Sequence, residues 1–303
     1  MRNALRGMKG SLDRSPDSSV YLVLLVQSLF ASGTHLVAKV AARDVDPFTL
    51  TLVRSLIAAS AFSLLLLLRG GFPRIRRQDW PLVLLLAFLA IPLNQFLFLF
   101  GIRSTTPLNA ALLYATTPIL VVLFSRWLLG ERLTRRKLIG VALGFAGVAI
   151  VILERGVDAS IEYVHGNLII YVAVLAWGLY TVLGKRLIMQ YGPLDASAIT
   201  LLIGTLVFLP IGILPALQFD YASIGGWTWA QILYLGVVTS VISYLLWYYA
   251  LGRVEAGKVA LFANLQPILT TVLAVVLLGQ GVTLQFVLGG MLAILGVIIA
   301  QFG

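Results

Sequence analysis

Apolar residues in this chain do not alternate with polar ones. They run in ten blocks, approximately 20–40, 46–68, 80–102, 107–128, 134–153, 166–185, 195–217, 228–251, 256–278 and 285–301. Each block is near the roughly 20 residues that a helix needs to cross a hydrocarbon core about 30 Å thick. The polar connections are short, and none has room for an inserted soluble domain. The longest follows the fifth block and carries Glu154, Arg155, Asp158, Glu162 and His165. A polar tail, residues 1–19, precedes the first block. No small-residue cleavage site follows that block, so it reads as a retained helix and not as a signal peptide. The pattern predicts an all-α membrane protein of ten transmembrane helices.

Composition agrees. Of 303 residues, 60% are hydrophobic and 11% are charged, against about 25% charged in soluble domains. A soluble globular protein and a disordered chain are both excluded. The chain has no cysteine, which removes disulfides, thiolate metal sites and a Cys nucleophile. The net charge of +10 would suggest nucleic acid in a soluble protein, but its distribution gives a different reading. If the N-terminus is cytoplasmic, 17 of the 22 Lys and Arg fall in inside segments. Three (Arg43, Arg103, Arg155) fall outside, and Lys39 and Arg54 lie within helices. That bias predicts an even number of spans with both termini cytoplasmic, in a bacterial inner membrane. It accounts for the charge without nucleic acid.

The chain also repeats itself. Shifted by 149 residues, segment 111–150 falls on 260–299 with 14 of 40 positions identical. The punctuating residues coincide: Pro118 with Pro267, Gly130 with Gly279, Thr134 with Thr283, Gly140 with Gly289, Gly147 with Gly296. A shift of 146 pairs Lys39 with Lys185 and Pro47 with Pro193. Two halves of five helices, 20–153 and 154–303, therefore look duplicated. Five is odd, so the second half enters the membrane from the opposite side. Inverted repeats of this kind surround a central site in many secondary carriers.

The run "PILVVLFSRWLLGERLTRRKLIGVALGFAGVAIVI" and its partner "QPILTTVLAVVLLGQGVTLQFVLGGMLAILGVIIA" resemble the EamA-type carriers of the drug/metabolite transporter superfamily. Those carriers pair a mid-helix Pro, a Gly-Glu loop and a Gly-rich fifth helix in each half. Gly130-Glu131 keeps the loop; Gly279-Gln280 departs from it. "AWGLYTVLGK" (176–185) is similar to the family's repeat start. The resemblance covers nearly the whole chain after residue 20. It implies a ten-helix, two-repeat carrier of small metabolites, and the YddG-like aromatic amino-acid exporters are the branch to compare first.

Candidate residues for a transport path are those that lipid cannot accommodate. Pro118 and Pro267 sit about 11 residues into their blocks, where a proline removes a backbone hydrogen bond and kinks the helix. Their matched placement predicts paired gating kinks. Polar side chains at depth are Thr34, His35, Asn94, Gln95, Thr181, Asn264 and Gln266. They must face a protein interior, bonding other helices, or a wet cavity. Coming from both halves, they favour a cavity. Trp177, Tyr180, Tyr244, Trp247 and Tyr248 form an aromatic cluster, and rings with polar tips suit a wet site for a planar or apolar solute. Arg54, about eight residues into the second block, costs roughly 2.5–3.5 kcal/mol at such depth and demands a partner. That partner is a carbonyl or loop acid in a structural role, or a substrate carboxylate. Lys39, one turn from its helix end, is expected to snorkel.

All twelve acids fall in loops or at helix ends, which leaves no buried carboxylate as proton relay; only His35 is a buried group that titrates near neutrality. Facilitated diffusion, or at most a His35-linked proton effect, is the resulting expectation. Residues 252–258 read Gly-Arg-Val-Glu-Ala-Gly-Lys, but Val259 stands where a P-loop needs Ser or Thr for magnesium. No ATP use follows, and no catalytic group, metal ligand set or cofactor site is found. The expected function is alternating-access export of small amphipathic metabolites, aromatic or other apolar amino acids first. Alternatives are a multidrug or phosphorylated-metabolite exchanger and, more distantly, a non-transporting scaffold or receptor subunit. The expected partners are a small-molecule substrate and the lipid bilayer, with the chain a monomer or homodimer.

Overall fold

The computed structural model describes residues 18–154, 161–269, 272 and 283–302, and all their regular structure is helical. The first block folds as α1 (Ser18–Ser32) and α2 (Thr34–Asp44), and the second as α3 (Pro47–Leu68). The third is α4 (Trp80–Phe88), a π-helical stretch Leu89–Phe96, and α5 (Leu97–Arg103). The fourth is α6 (Pro107–Tyr114) and α7 (Thr117–Leu128). Then come α8 (Arg135–Glu154), α9 (Ile161–Tyr191) and α10 (Pro193–Gln218). The eighth block is α11 (Gly226–Leu233), a π-helical stretch Tyr234–Ser243, and α12 (Tyr244–Leu251). The ninth is α13 (Ala256–Ala260), a 3₁₀ stretch Leu261–Asn264 and helical residues 265–269. The tenth is α14 (Leu284–Gln301).

Seven helices among the described residues are long and apolar enough to cross a membrane. The fifth, ninth and tenth blocks fall short of that measure. Block nine runs into residues outside the described ones, and Val287–Gln301 is a shorter apolar helix. The sequence also supplies the helix starts. Asp46 caps α3, its Oδ1 accepting from the Phe48 and Thr49 amides at 3.0 Å, with Pro47 in the first turn. Thr106 caps α6 ahead of Pro107 in the same manner. Before Pro193, the repeat mate of Pro47, stands Gly192 at φ +84°, a left-handed turn that glycine adopts without strain.

Where the blocks break, the cause is visible. A Cβ on Gly33 would collide with the Tyr234 hydroxyl, which donates to the Phe30 carbonyl released at the break between α1 and α2. Pro118 lies in the first turn of α7, just past the break at residues 115–116. It starts a helix there, where its missing N–H costs nothing. This corrects the expected mid-helix kink: block four is two helices end to end. Pro267 follows the 3₁₀ stretch of block nine in the corresponding place.

Helices α8 and α14 pack backbone on backbone. A Cβ on Gly140 would meet the Gly296 carbonyl, and one on Gly147 the Gly289 carbonyl. Gly140 and Gly289 are repeat mates, as are Gly147 and Gly296. So the earlier residue of one helix touches the mate of the later residue of the other. Such reciprocal contacts mark a two-fold axis lying across the pair, and the two helices run antiparallel.

The same relation governs half-buried Lys39 and buried Lys185. Lys39 Nζ donates to the carbonyls of Ile102 (2.8 Å), Arg103 (3.1 Å) and Thr105 (2.8 Å). Lys185 Nζ donates to the Val254 carbonyl (2.8 Å) and Glu131 Oε1 (3.1 Å). Lys185 is the mate of Lys39, and Val254 is the mate of Thr105 at the 149 offset. Lys39 thus ties helix ends together instead of snorkelling. At the basic end, Glu131 also accepts from the Ala256 amide at 3.0 Å, and Lys137 pairs with Glu255. Burial pushes the Glu131 carboxyl up. Lys185, the Ala256 amide and Lys137 outweigh that and hold it below the usual carboxylate range. The repeat mate of Glu131, Gln280, lies outside the described residues.

Two outcomes follow for the purified protein in detergent. Gly147→Leu should lower stability by about 1–3 kcal/mol, as overpacking does, while Gly225→Ala, with open space at its Cβ, should melt like wild type; thermal denaturation checks both. A depressed carboxyl stabilises above its unfolded pKa and loses that contribution as pH falls through the folded value. Glu131→Gln should therefore lower the melting temperature at pH 7, and the gap to wild type should close on acidification.

Candidate functional site

The two π-helical stretches fall in repeat-related blocks and face each other across one cavity. π-bulges widen the helix and turn side chains out of register, which is why they recur at functional sites. The stretch Leu89–Phe96 contributes Asn94 and Gln95, and Tyr234–Ser243 contributes Thr239 and Ser243. Gln95 Nε2 donates to the Tyr244 hydroxyl at 3.2 Å. These two positions are themselves mates at the 149 offset. Mates that touch must lie beside the two-fold axis, so the axis passes through this cavity.

The remaining wall comes from Gln27, Ala31, Thr34, His35, Arg54, Phe98, Tyr114, Thr117, Trp177, Tyr244, Ala263 and Gln266. Thr34 and Thr239 hydroxyls share a hydrogen bond at 3.3 Å across the halves. Asn94 Nδ2 donates to Tyr114 Oη and to the Ala173 carbonyl, both at 2.9 Å. The His35 ring meets Phe98 and Tyr114 edge-on, with centroids 5.5 and 5.3 Å away. Arg54, 2% exposed, donates from Nη2 to Ser240 Oγ at 2.8 Å. Ser240 in turn donates to the Leu235 carbonyl at 2.9 Å. Among the described residues neither structural partner considered for Arg54, a carbonyl or a loop acid, is the one found.

Of the twelve expected cavity residues, seven line it: Thr34, His35, Asn94, Gln95, Trp177, Tyr244 and Gln266. Tyr180, Thr181, Trp247 and Tyr248 do not. They pack beneath as a plug toward the basic end, because flat rings find more contact with each other than with a wet opening. Tyr180 stacks on Tyr248 at 5.2 Å and on Trp177 at 5.7 Å, and Trp177 leans on Trp247 at 5.7 Å. Tyr180 Oη bonds Thr200 Oγ1 at 3.1 Å, and Trp247 Nε1 donates to Thr181 Oγ1 at 3.3 Å. Gly184 admits the Tyr248 hydroxyl, which any Cβ would displace. Asn264 is fully buried and sits on Gly144 of α8, away from the cavity. Pro118 and Pro267 do not line it either, but Thr117 and Gln266 beside them do.

Cavity and plug are mates. The 146 offset takes Thr34 to Tyr180, His35 to Thr181 and Arg54 to Thr200, and the 149 offset takes Phe98 to Trp247. What is open in one half is filled with stacked rings in the other. Sequence reasoning missed Gln27, Tyr114, Thr117, Thr239 and Ser243. Tyr114 and Thr117 flank the helix break beside Pro118, and Pro118 was the one available signal for them. No cluster of three or more His, Asp or Glu that could hold a metal occurs among the described residues.

Comparison with known proteins agrees with this architecture. The model of the EamA-like transporter family matches residues 18–153 and again 164–302. The chain is 27% identical to the uncharacterized transporter YyaM of Bacillus subtilis, over 93% of each chain. It is 29% identical to a protein of Salmonella typhimurium named as a probable amino-acid metabolite efflux pump, over 93% of this chain and 94% of that one. A solved crystal structure superposes with a TM-score of 0.78 at 24% identity, covering 94% of this chain and 97% of the other. The double match, one per half, spans nearly all of the sequence: the chain belongs to the EamA-like transporter family, and it is a membrane transporter rather than an enzyme.

Proposed function

We propose that the protein is a ten-helix carrier of two inverted five-helix repeats that exports small amphipathic metabolites, aromatic or other apolar amino acids first, by alternating access. The observation that carries this reading is the cavity beside the two-fold axis. It is walled by Trp177, Tyr244 and Phe98 next to polar Gln95 and Thr34, and it is floored by the aromatic plug. Because plug and cavity occupy repeat-related positions, exchanging the conformations of the two halves would open the plug and close the cavity. The breaks in blocks four and nine are where the exchange bends. The basic loops point to the cytoplasm with both termini on that side, in a bacterial inner membrane. On that orientation the plug and the Lys185–Glu131 tie close the cytoplasmic side. The efflux-pump name of the Salmonella relative favours amino-acid metabolites, and the rings favour the aromatic amino-acid exporter branch. With no acid among the lining residues, transport is facilitative.

Counterflow in proteoliposomes over an amino-acid panel is the test. Exchange should be fastest for aromatic and branched-chain members, and no exchange of any small solute would leave a non-transporting scaffold. Trp177→Ala, in the wall, should weaken apparent affinity for aromatic substrates about tenfold, the scale of one lost aromatic contact. Trp247→Ala, in the plug, should change turnover at similar affinity. An imposed proton gradient should drive no accumulation in wild type or in His35→Ala vesicles.

A further inference from the structure

The cavity holds one charge that the protein itself does not neutralise. Arg54 is 2% exposed, stays protonated at any physiological pH, and lies on the cavity wall. Among the described residues its hydrogen-bond partner is the neutral Ser240 hydroxyl, and no acid forms a salt bridge with it. Its Nε is buried without a partner. A guanidinium carries five N–H donors in a planar fork, so most of its bonding capacity remains unspent. An uncompensated buried cation is costly. The position is also one-sided: its repeat mate is Thr200, which bonds Tyr180 in the plug. Among the described residues no carboxylate lines the cavity.

We propose that Arg54 is the counter-ion for a substrate carboxylate, so that the cavity selects apolar and aromatic monocarboxylates and treats an α-amino group as dispensable. The proposal rests on the carrier reading and names its substrate class. The fork matches a carboxylate in a bidentate manner. Ser240, fixed by its own bond to the Leu235 carbonyl, holds the fork at the cavity wall. The Tyr244 hydroxyl accepts from Gln95 and so keeps its proton to donate to an anion. The aromatic wall then receives the apolar body. Among the described residues nothing anionic lines the cavity to hold an ammonium group, which finds neutral acceptors such as the buried, unpartnered Gln95 Oε1. A dianion such as a phosphomonoester would leave one charge unmatched.

The test measures binding to the purified full chain in detergent and counterflow in proteoliposomes. The probes are L-phenylalanine, 3-phenylpropanoate and 2-phenylethylamine, with 4-methylpentanoate and isopentylamine as an aliphatic pair. Each acid should bind and exchange, with or without its amino group. Each amine should bind at least about tenfold more weakly, the order expected when a buried charge loses its partner. Arg54→Gln should abolish the difference between acid and amine, and Arg54→Lys should keep part of it. Wild type alone decides the matter if a variant fails to fold. Amines that bind as well as the acids, or exchange of the amines alone, overturn the assignment and leave the carrier reading standing. Exchange of no solute at all fails the carrier reading and the assignment with it.

Discussion

The contact on which this molecule depends is the crossing of α8 and α14. Lipid offers no hydrophobic drive for helix association, so helices in it are held by close packing and polar contacts. Gly140, Gly147 and Gly296 let two backbones approach until any Cβ there would collide with a carbonyl, and Gly289 supplies one of those carbonyls. Because the four are two pairs of repeat mates, the contact is reciprocal and fixes the axis relating the halves. That axis orders the rest. It passes between Gln95 and Tyr244, and it relates the Lys39 tie to the Lys185 tie. It also sets the open cavity against the filled plug.

A site inside a membrane needs polar groups, and polar groups there need partners. The fold answers by interrupting its helices only where the interruption faces protein or the cavity. Gly33 releases a carbonyl that Tyr234 takes, Pro118 restarts a helix, and the π stretches turn Asn94, Gln95, Thr239 and Ser243 toward one space. The cavity is therefore made of backbone irregularity as much as of side-chain choice. The departure from symmetry at Arg54 and Thr200 gives chemical character to one side alone. Glu131 and Gln280 differ in a similar way: the charge of Glu131 binds Lys185 and the amide at the start of α13, and its mate in the sequence is an uncharged amide.

Much of this was legible in the sequence because hydropathy and glycine spacing are local signals. Among the described residues the apolar blocks are helical, the repeat offsets match contacting residues, and seven of twelve proposed wall residues line one cavity. What was misread concerns facing. Tyr248 lies one turn beyond Tyr244 on the same helix, yet Tyr244 lines the cavity and Tyr248 stacks on Tyr180 beneath it. Pro118 was visible but not the break before it, since a proline is equally at home in a kink and in a first turn. The π stretches carry no sequence signature, so Thr239 and Ser243 were passed over as ordinary span residues.

By itself the sequence determined what must be buried in lipid and that its two halves repeat each other. These follow from the cost of exposing apolar surface to water and polar backbone to lipid, which every residue reports locally. Only the tertiary structure decided which polar and aromatic side chains share a space. It also decided that Arg54 meets a neutral hydroxyl instead of an acid, and that one half is open while its mate is packed shut. Those outcomes depend on helix rotation and on contacts between residues some 150 positions apart, and no local pattern encodes them.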